Sequence, residues 1–113
     1  MRLERLPLIV VKRCYYDEFL AGVKTIEYRR HKGQFNARVF HPGRRIRIAY
    51  NYNLNLYPSL TAIVTRFEVT PASTHPEMLD FYQGLQPNDE IALIHLRVER
   101  GRPLRSRQGI GEL

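Results

Sequence analysis

The side chains best suited to chemistry stand close together, in Gly22-Val23-Lys24-Thr25-Ile26-Glu27-Tyr28-Arg29. An amine, a carboxylate and a guanidinium fall within one short stretch. Where the chain is extended, alternate residues share a face, so Glu27 and Arg29 project together. A carboxylate beside a guanidinium stays ionised, and the pair offers an acceptor next to a planar donor fork. Lys24 opens the strand, where its amine reaches a phosphate or a base edge, and lysine is the cation whose pKa falls most readily in such a setting. Lys24 and Glu27 are therefore the candidate catalytic pair, with Thr25 as the neighbouring hydroxyl on Glu27's face. The plain alternative is a solvated ion pair on an edge strand, contributing about 1 kcal/mol or less.

Charge enlarges the candidate site. The chain has 113 residues, with 18 Lys and Arg against 11 Asp and Glu, a net charge of +7. Lys24, Arg29, Arg30, Lys32, Arg38, Arg44, Arg45 and Arg47 face only Glu27 within residues 24–47, so this stretch carries the whole excess. A concentrated basic field suits a polyanion, most simply RNA or a nucleotide-like ligand, and the same field would serve DNA. Lys24, Arg29, Arg44, Arg45 and Arg47 are the expected phosphate contacts. Glu27 is expected to accept from a base edge or to hold Arg29. Tyr52 and Tyr57 lie in a polar loop and are the expected stacking rings, whereas Tyr28 and Tyr50 fall on apolar strand faces and suit packing. A basic face docking on an acidic protein is the competing reading. Lys24→Ala and Arg29→Ala are expected to weaken binding while leaving the fold intact.

Other classes have little support. The longest purely apolar run is Leu8-Ile9-Val10-Val11, too short to span a bilayer, and the N-terminus shows no secretory pattern, so a cytoplasmic location is expected. Cys14 stands alone, which rules out an internal disulfide and a multi-cysteine zinc site. His31, His41, His75 and His95 have no metal-binding spacing, so no metal and no cofactor is expected.

The elements that would position these residues follow from hydrophobic period. Residues 8–11 read as a buried strand and residues 13–21 as a short helix, ended at Gly22. Strands are expected over residues 24–30, 45–52, 61–69 and 91–98, with Ile63, Phe67 and Val69 on one face of 61–69. Pro76 starts a second helix running to about Tyr82. Residues 31–41 are irregular, with one helical turn near 35–39. Residues 1–113 form one domain with a core over about 6–99; the Arg- and Gly-rich 100–113 is a loose tail. The order predicts a mainly β, α+β fold: a small barrel with short helices at its ends.

Gly22-x-Lys24-x-x-Glu27-x-Arg29 resembles the G-x-K-x-x-E-x-R signature of ASCH domains, in the PUA-like superfamily. The similarity extends over about residues 6–99. An apolar strand and an aromatic helix precede the signature, a Pro42-Gly43 turn precedes the next strand, and a closing strand follows. The resemblance implies a PUA-like β-barrel of five to six strands with two helices, the signature in a cleft between barrel and helix, and work on RNA. It also implies an enzymatic alternative, a hydrolase acting on RNA or a modified nucleoside. One ASCH branch is an amidohydrolase on N4-acetylcytidine, using Lys, a Thr three residues later and a distant Glu. Here Glu27 stands in the Thr position, and Glu77 is a candidate for the third member. Another branch cleaves RNA, and Lys24 and Glu27 would serve a metal-independent ribonuclease. Arg44 replaces an acid that the family often has after the turn glycine, which would favour a phosphate-bearing ligand.

Overall fold

The computed structural model describes residues 6–102, with side chains through Glu99. Seven elements follow in order: β1 (Leu8–Val10), α1 (Arg13–Leu20), β2 (Ile26–Arg30), β3 (Arg45–Ala49), β4 (Ser59–Pro71), α2 (Pro76–Phe81) and β5 (Glu90–Arg102). A 3-10 turn over Ala72–Thr74 leads into α2. The element order is the expected one. β5 outruns its expected end and pairs with β4 as far as Arg102, so the chain does not loosen at residue 100. The rest of that expected tail lies outside the described residues.

The strands make one mixed sheet in the order β1-β3-β4-β5-β2. β1 lies parallel to β3, and all other pairs are antiparallel. A parallel pair needs a crossover, and α1 with β2 supplies it. The sheet has five strands and is a curled half-barrel: β1 and β2 are its two edges and share no ladder. The curl brings those edges close enough for one side chain to span them, since Arg29 Nη2 on β2 donates to the Val10 carbonyl of β1 at 2.7 Å. Register shifts at Thr61/Ala62 and Val64/Arg66 bend the long β4–β5 ribbon toward this closure.

The second shift also corrects the expected face of β4. Leu60, Ala62 and Val64 are the buried residues, and Ile63 is only half-buried. Beyond the irregularity the phase changes, so Phe67 packs on the same core as Val64. An uninterrupted period of two had placed Ile63 and Phe67 together; one extra residue separates them.

Two clusters fill the fold. The main one joins the inner face of the sheet to α1 through Ile9, Phe19, Phe40, Ile46, Ile48 and Leu60. The second packs Met78 of α2 and Leu85 against Ile91 and Leu93 of β5. β5 is therefore buried on both faces over Ile91–Ile94. Tyr16 of α1 belongs to the main cluster, its ring 4.9 Å from that of Tyr50. Burial pushes its hydroxyl up to about 12, and Tyr50 and Asp17 add to the shift. The unfolded chain releases this proton near pH 10, earlier than the folded one, so stability is complete below pH 10 and falls as pH rises toward 12. Thermal melts at pH 9 and pH 11.5 should show a drop that Tyr16→Phe reduces; an equal drop in the variant would place its cause elsewhere.

Candidate functional site: a cleft at the sheet seam

The open seam leaves a cleft of about 340 Å³ between β1, β2, α1 and α2. Its position follows from the local chain. Gly22 adopts φ 79° just past α1, a left-handed conformation that glycine takes without strain, and turns the chain back toward β2. The amides of Val23 and Lys24 then both donate to the Glu18 carbonyl, at 2.9 and 3.1 Å, which fixes the start of the signature against α1.

Lys24, Glu27 and Arg29 all line this cleft. Arg29 Nε donates to Glu27 Oε2 at 2.6 Å, and Lys24 Nζ lies 3.8 Å from Glu27 Oε1. Lys24 Nζ also donates to the Ile26 carbonyl at 2.7 Å. Its ammonium sits among three rings, 5.4 Å from Tyr15, 5.3 Å from Phe19 and 5.5 Å from Tyr28. Aromatic faces attract a cation at this range. The Glu27 side chain is only 8% exposed and its two cations are half-buried, so this is a largely shielded charged triplet and not a solvated edge pair.

Apolar and aromatic groups form the rest of the wall. Val10, Tyr15 and Tyr28 line it together with Met78, Phe81 and Tyr82 of the α2 region, and the Tyr15 and Phe81 rings meet edge-on at 6.4 Å. Burial raises the Tyr82 hydroxyl above its ordinary value. It donates to the Tyr28 carbonyl at 3.1 Å, so it is a neutral, committed donor and not a base. Lys12 lies at the cleft with its amine 5.3 Å from the Phe81 ring, and Glu77 adds a second carboxylate. The charged lining is then Lys12, Lys24 and Arg29 against Glu27 and Glu77, which is close to balanced. A pocket of this size with a few polar groups at an aromatic wall suits one flat, polar, small ligand better than a long polyanion.

The remaining expected contacts lie elsewhere. Arg47 is buried and donates to Ser59 Oγ at 2.8 Å; on β3 it is part of the interior, where no phosphate reaches it. Arg45 makes a two-pronged ion pair with Glu99, at 2.9 and 3.2 Å, and this partner holds the Glu99 carboxyl below its ordinary range. Arg44 is half-buried beside the Gly43 turn and does not line the cleft, so its replacement of an acid says nothing about the cleft's ligand. Thr25 is exposed and lines a second depression with Leu20, Leu96 and Arg97, on the other side of Lys24, which lines both; Thr25 itself is not part of the cleft lining. Tyr52 and Tyr57 are 79% and 38% exposed on a loop outside the cleft lining. The basic stretch that is continuous in sequence is thus divided in space, because strand pairing sends β2 and β3 to different places in the sheet. Sequence reasoning missed Lys12, Tyr15, Phe81 and Tyr82 as cleft residues. The adjacent rings of Phe81-Tyr82 beside a glycine were the available signal. Among the described residues, no three His, Cys, Asp or Glu side chains gather to hold a metal. Nor is any described helix long and apolar enough to cross a membrane.

No protein-family model matches the sequence, and no curated protein matches it. Solved structures do. A serine-to-alanine variant of ZmASCH from Zymomonas mobilis superposes with a TM-score of 0.63 at 15% identity, covering 100% of this chain and 84% of the other. A tyrosine-to-phenylalanine variant of ZmASCH gives 0.61 at 16% identity, covering 93% and 80%. The chain has an ASCH fold. The expectation drawn from the signature and the element order therefore holds for the architecture. Within that ASCH fold, the signature residues Lys24, Glu27 and Arg29 occupy the seam between the half-barrel and its helices.

Proposed function

We propose that this chain is an ASCH-family RNA- or nucleotide-binding domain whose seam cleft takes a nucleobase. One observation carries the reading: the amine of Lys24 and the carboxylate of Glu27 meet at the end of an aromatic-walled cleft sized for a single ring system. The walls stack or edge against the base, and the Lys24–Glu27 pair offers a donor beside an acceptor, which matches a base edge. Phosphate contacts are secondary in the cleft, since its charges are nearly balanced.

The test is a titration of nucleoside monophosphates and of short labelled single-stranded RNA over a salt series without added metal. Lys24→Ala should weaken both by about 10- to 100-fold, the value of one hydrogen bond to a charged group. Its melting temperature should shift little, because this ammonium is partly exposed and its carbonyl contact is local. Binding equal to wild type would remove the cleft from consideration.

A hydrolytic reading is favoured by Glu77, a second carboxylate lining the same cleft as Lys24 and Glu27. The amidohydrolase form lacks a threonine hydroxyl in the cleft, so a metal-independent ribonuclease is its better version. Strand integrity on a denaturing gel decides it: intact RNA supports the binding domain, and cleavage that Lys24→Ala abolishes supports the enzyme.

A further inference from the structure

Beyond the cleft, one strip of cations and rings leads away from it. Lys12 lines the cleft and approaches Phe81; the next residue, Arg13, is exposed and holds its guanidinium 4.8 Å from the Tyr50 ring. Tyr50 meets Tyr57 edge-on at 5.9 Å. Through the two neighbouring cations, these contacts lead from the cleft toward the loop over residues 51–58. That loop contains no charged residue, yet it presents Tyr52, Leu56 and Tyr57 to solvent at 79%, 57% and 38% exposure. It is also preset. Asn51 Oδ1 accepts from the Asn53 amide, and the Asn53 carbonyl accepts from the amides of Leu56 and Tyr57. Tyr52 stands almost wholly outside any packing, and Tyr57 keeps part of its ring exposed beyond its edge contact with Tyr50, so both are suited to an incoming flat partner.

We infer that this strip is an extended subsite for single-stranded RNA: Lys12 and Arg13 take the phosphate that leaves the cleft, and Tyr52 and Tyr57 stack the adjacent base. The inference rests on the nucleobase reading of the cleft. The geometry favours a single strand over a duplex, because stacking on side-chain rings needs bases free of their own stack. It favours a nucleic acid over an acidic protein, because the loop offers rings and amides but no cation, and the strip's only cations are Lys12 and Arg13 at the cleft end. Chain length is then the discriminating variable: a mononucleotide fills the cleft alone, whereas a short oligonucleotide also reaches the loop.

The experiment measures fluorescence anisotropy for fluorescein-labelled oligoribonucleotides of two, four and six residues, with calorimetry for unlabelled mononucleotides. Wild type should bind the longer strands more tightly than a mononucleotide. Arg13→Ala and Tyr52→Ala should each cut oligonucleotide affinity by about 5- to 100-fold, the worth of one charged contact or stacked base, and Tyr52→Ala should leave mononucleotide binding unchanged. Both residues are exposed, so the variants are expected to fold. Affinity that does not grow with length, while Lys24→Ala still abolishes mononucleotide binding, would overturn the strip and keep the cleft. Oligonucleotide binding that depends on Tyr52 but not on Lys24 would overturn the continuous path. Failure of wild type to bind either probe would overturn both readings together.

Discussion

Arg29→Ala should destabilise the fold by about 2–4 kcal/mol, measured as a lower urea midpoint with a matching fall in melting temperature. Arg29 carries two duties at once. Its Nη2 donates to the Val10 carbonyl across the open seam, and its Nε holds Glu27. Truncation leaves a nearly buried carboxylate facing only the Lys24 amine at 3.8 Å, and it unties β1 from β2. Breaking a buried pair by removing one partner costs about 3–5 kcal/mol; the lower figure applies here because the cleft admits water and Arg29 is itself 21% exposed. Arg29→Lys should recover little, since an ammonium on a flexible stem does not reproduce the guanidinium fork that reaches both acceptors. Adding Glu27→Ala to Arg29→Ala should restore part of the loss, because the double variant has no stranded charge. An unchanged midpoint for Arg29→Ala would mean that the seam stays closed without it. The sequence alone had suggested the opposite outcome, a variant that folds normally and only binds less.

That reversal shows where sequence reading ends. Period-two alternation, one short apolar run, helical spacing and the Pro76 start signal located the five described strands and both helices, since those signals are local. The signature could be found because Lys24, Glu27 and Arg29 are neighbours in the chain. Their division of labour was not visible, because it depends on Val10, which is far away in sequence and reaches Arg29 only when the sheet curls. The same applies to Arg45 and Arg47. Alternate strand positions of equal charge read as one basic face, yet β3 is flanked by β1 and β4, so Arg47 is enclosed beside Ser59 while Arg45 meets Glu99 from β5. Phe67 was placed on the right side of β4 for the wrong reason, because the irregularity between Val64 and Arg66 left no mark in the pattern of apolar residues. The opposite wall of the cleft comes from α2, some fifty residues downstream of the signature, and nothing local to Lys24 points to it.

The second large effect concerns what Glu27 reads. Arg29 fixes Oε2, while Oε1 lies 3.8 Å from the Lys24 amine, so on the proposed nucleobase reading Oε1 would be the atom that accepts from a ligand. With the exocyclic position of the base set against Oε1 and its ring nitrogen toward the Lys24 amine, an acceptor there favours cytosine or adenine, which present an amine beside an unprotonated ring nitrogen, over uracil or hypoxanthine, which present a carbonyl oxygen beside an N–H. Wild type should therefore bind CMP more tightly than UMP and AMP more tightly than IMP. In Glu27→Gln, Arg29 will claim the amide oxygen, and the amide NH2 then faces the cleft as a donor. The amine-bearing bases lose their partner and meet a second donor, so their affinity should fall by about 10- to 100-fold. Uracil and hypoxanthine gain a complementary group, so the CMP/UMP ratio should shrink or invert while the fold survives. The comparison isolates recognition from stability, because both ligands are measured on the same variant. A fall in affinity that is equal for all four nucleotides would reduce Glu27 to a support for Arg29. A change in the ratio makes it the residue that distinguishes one base from another.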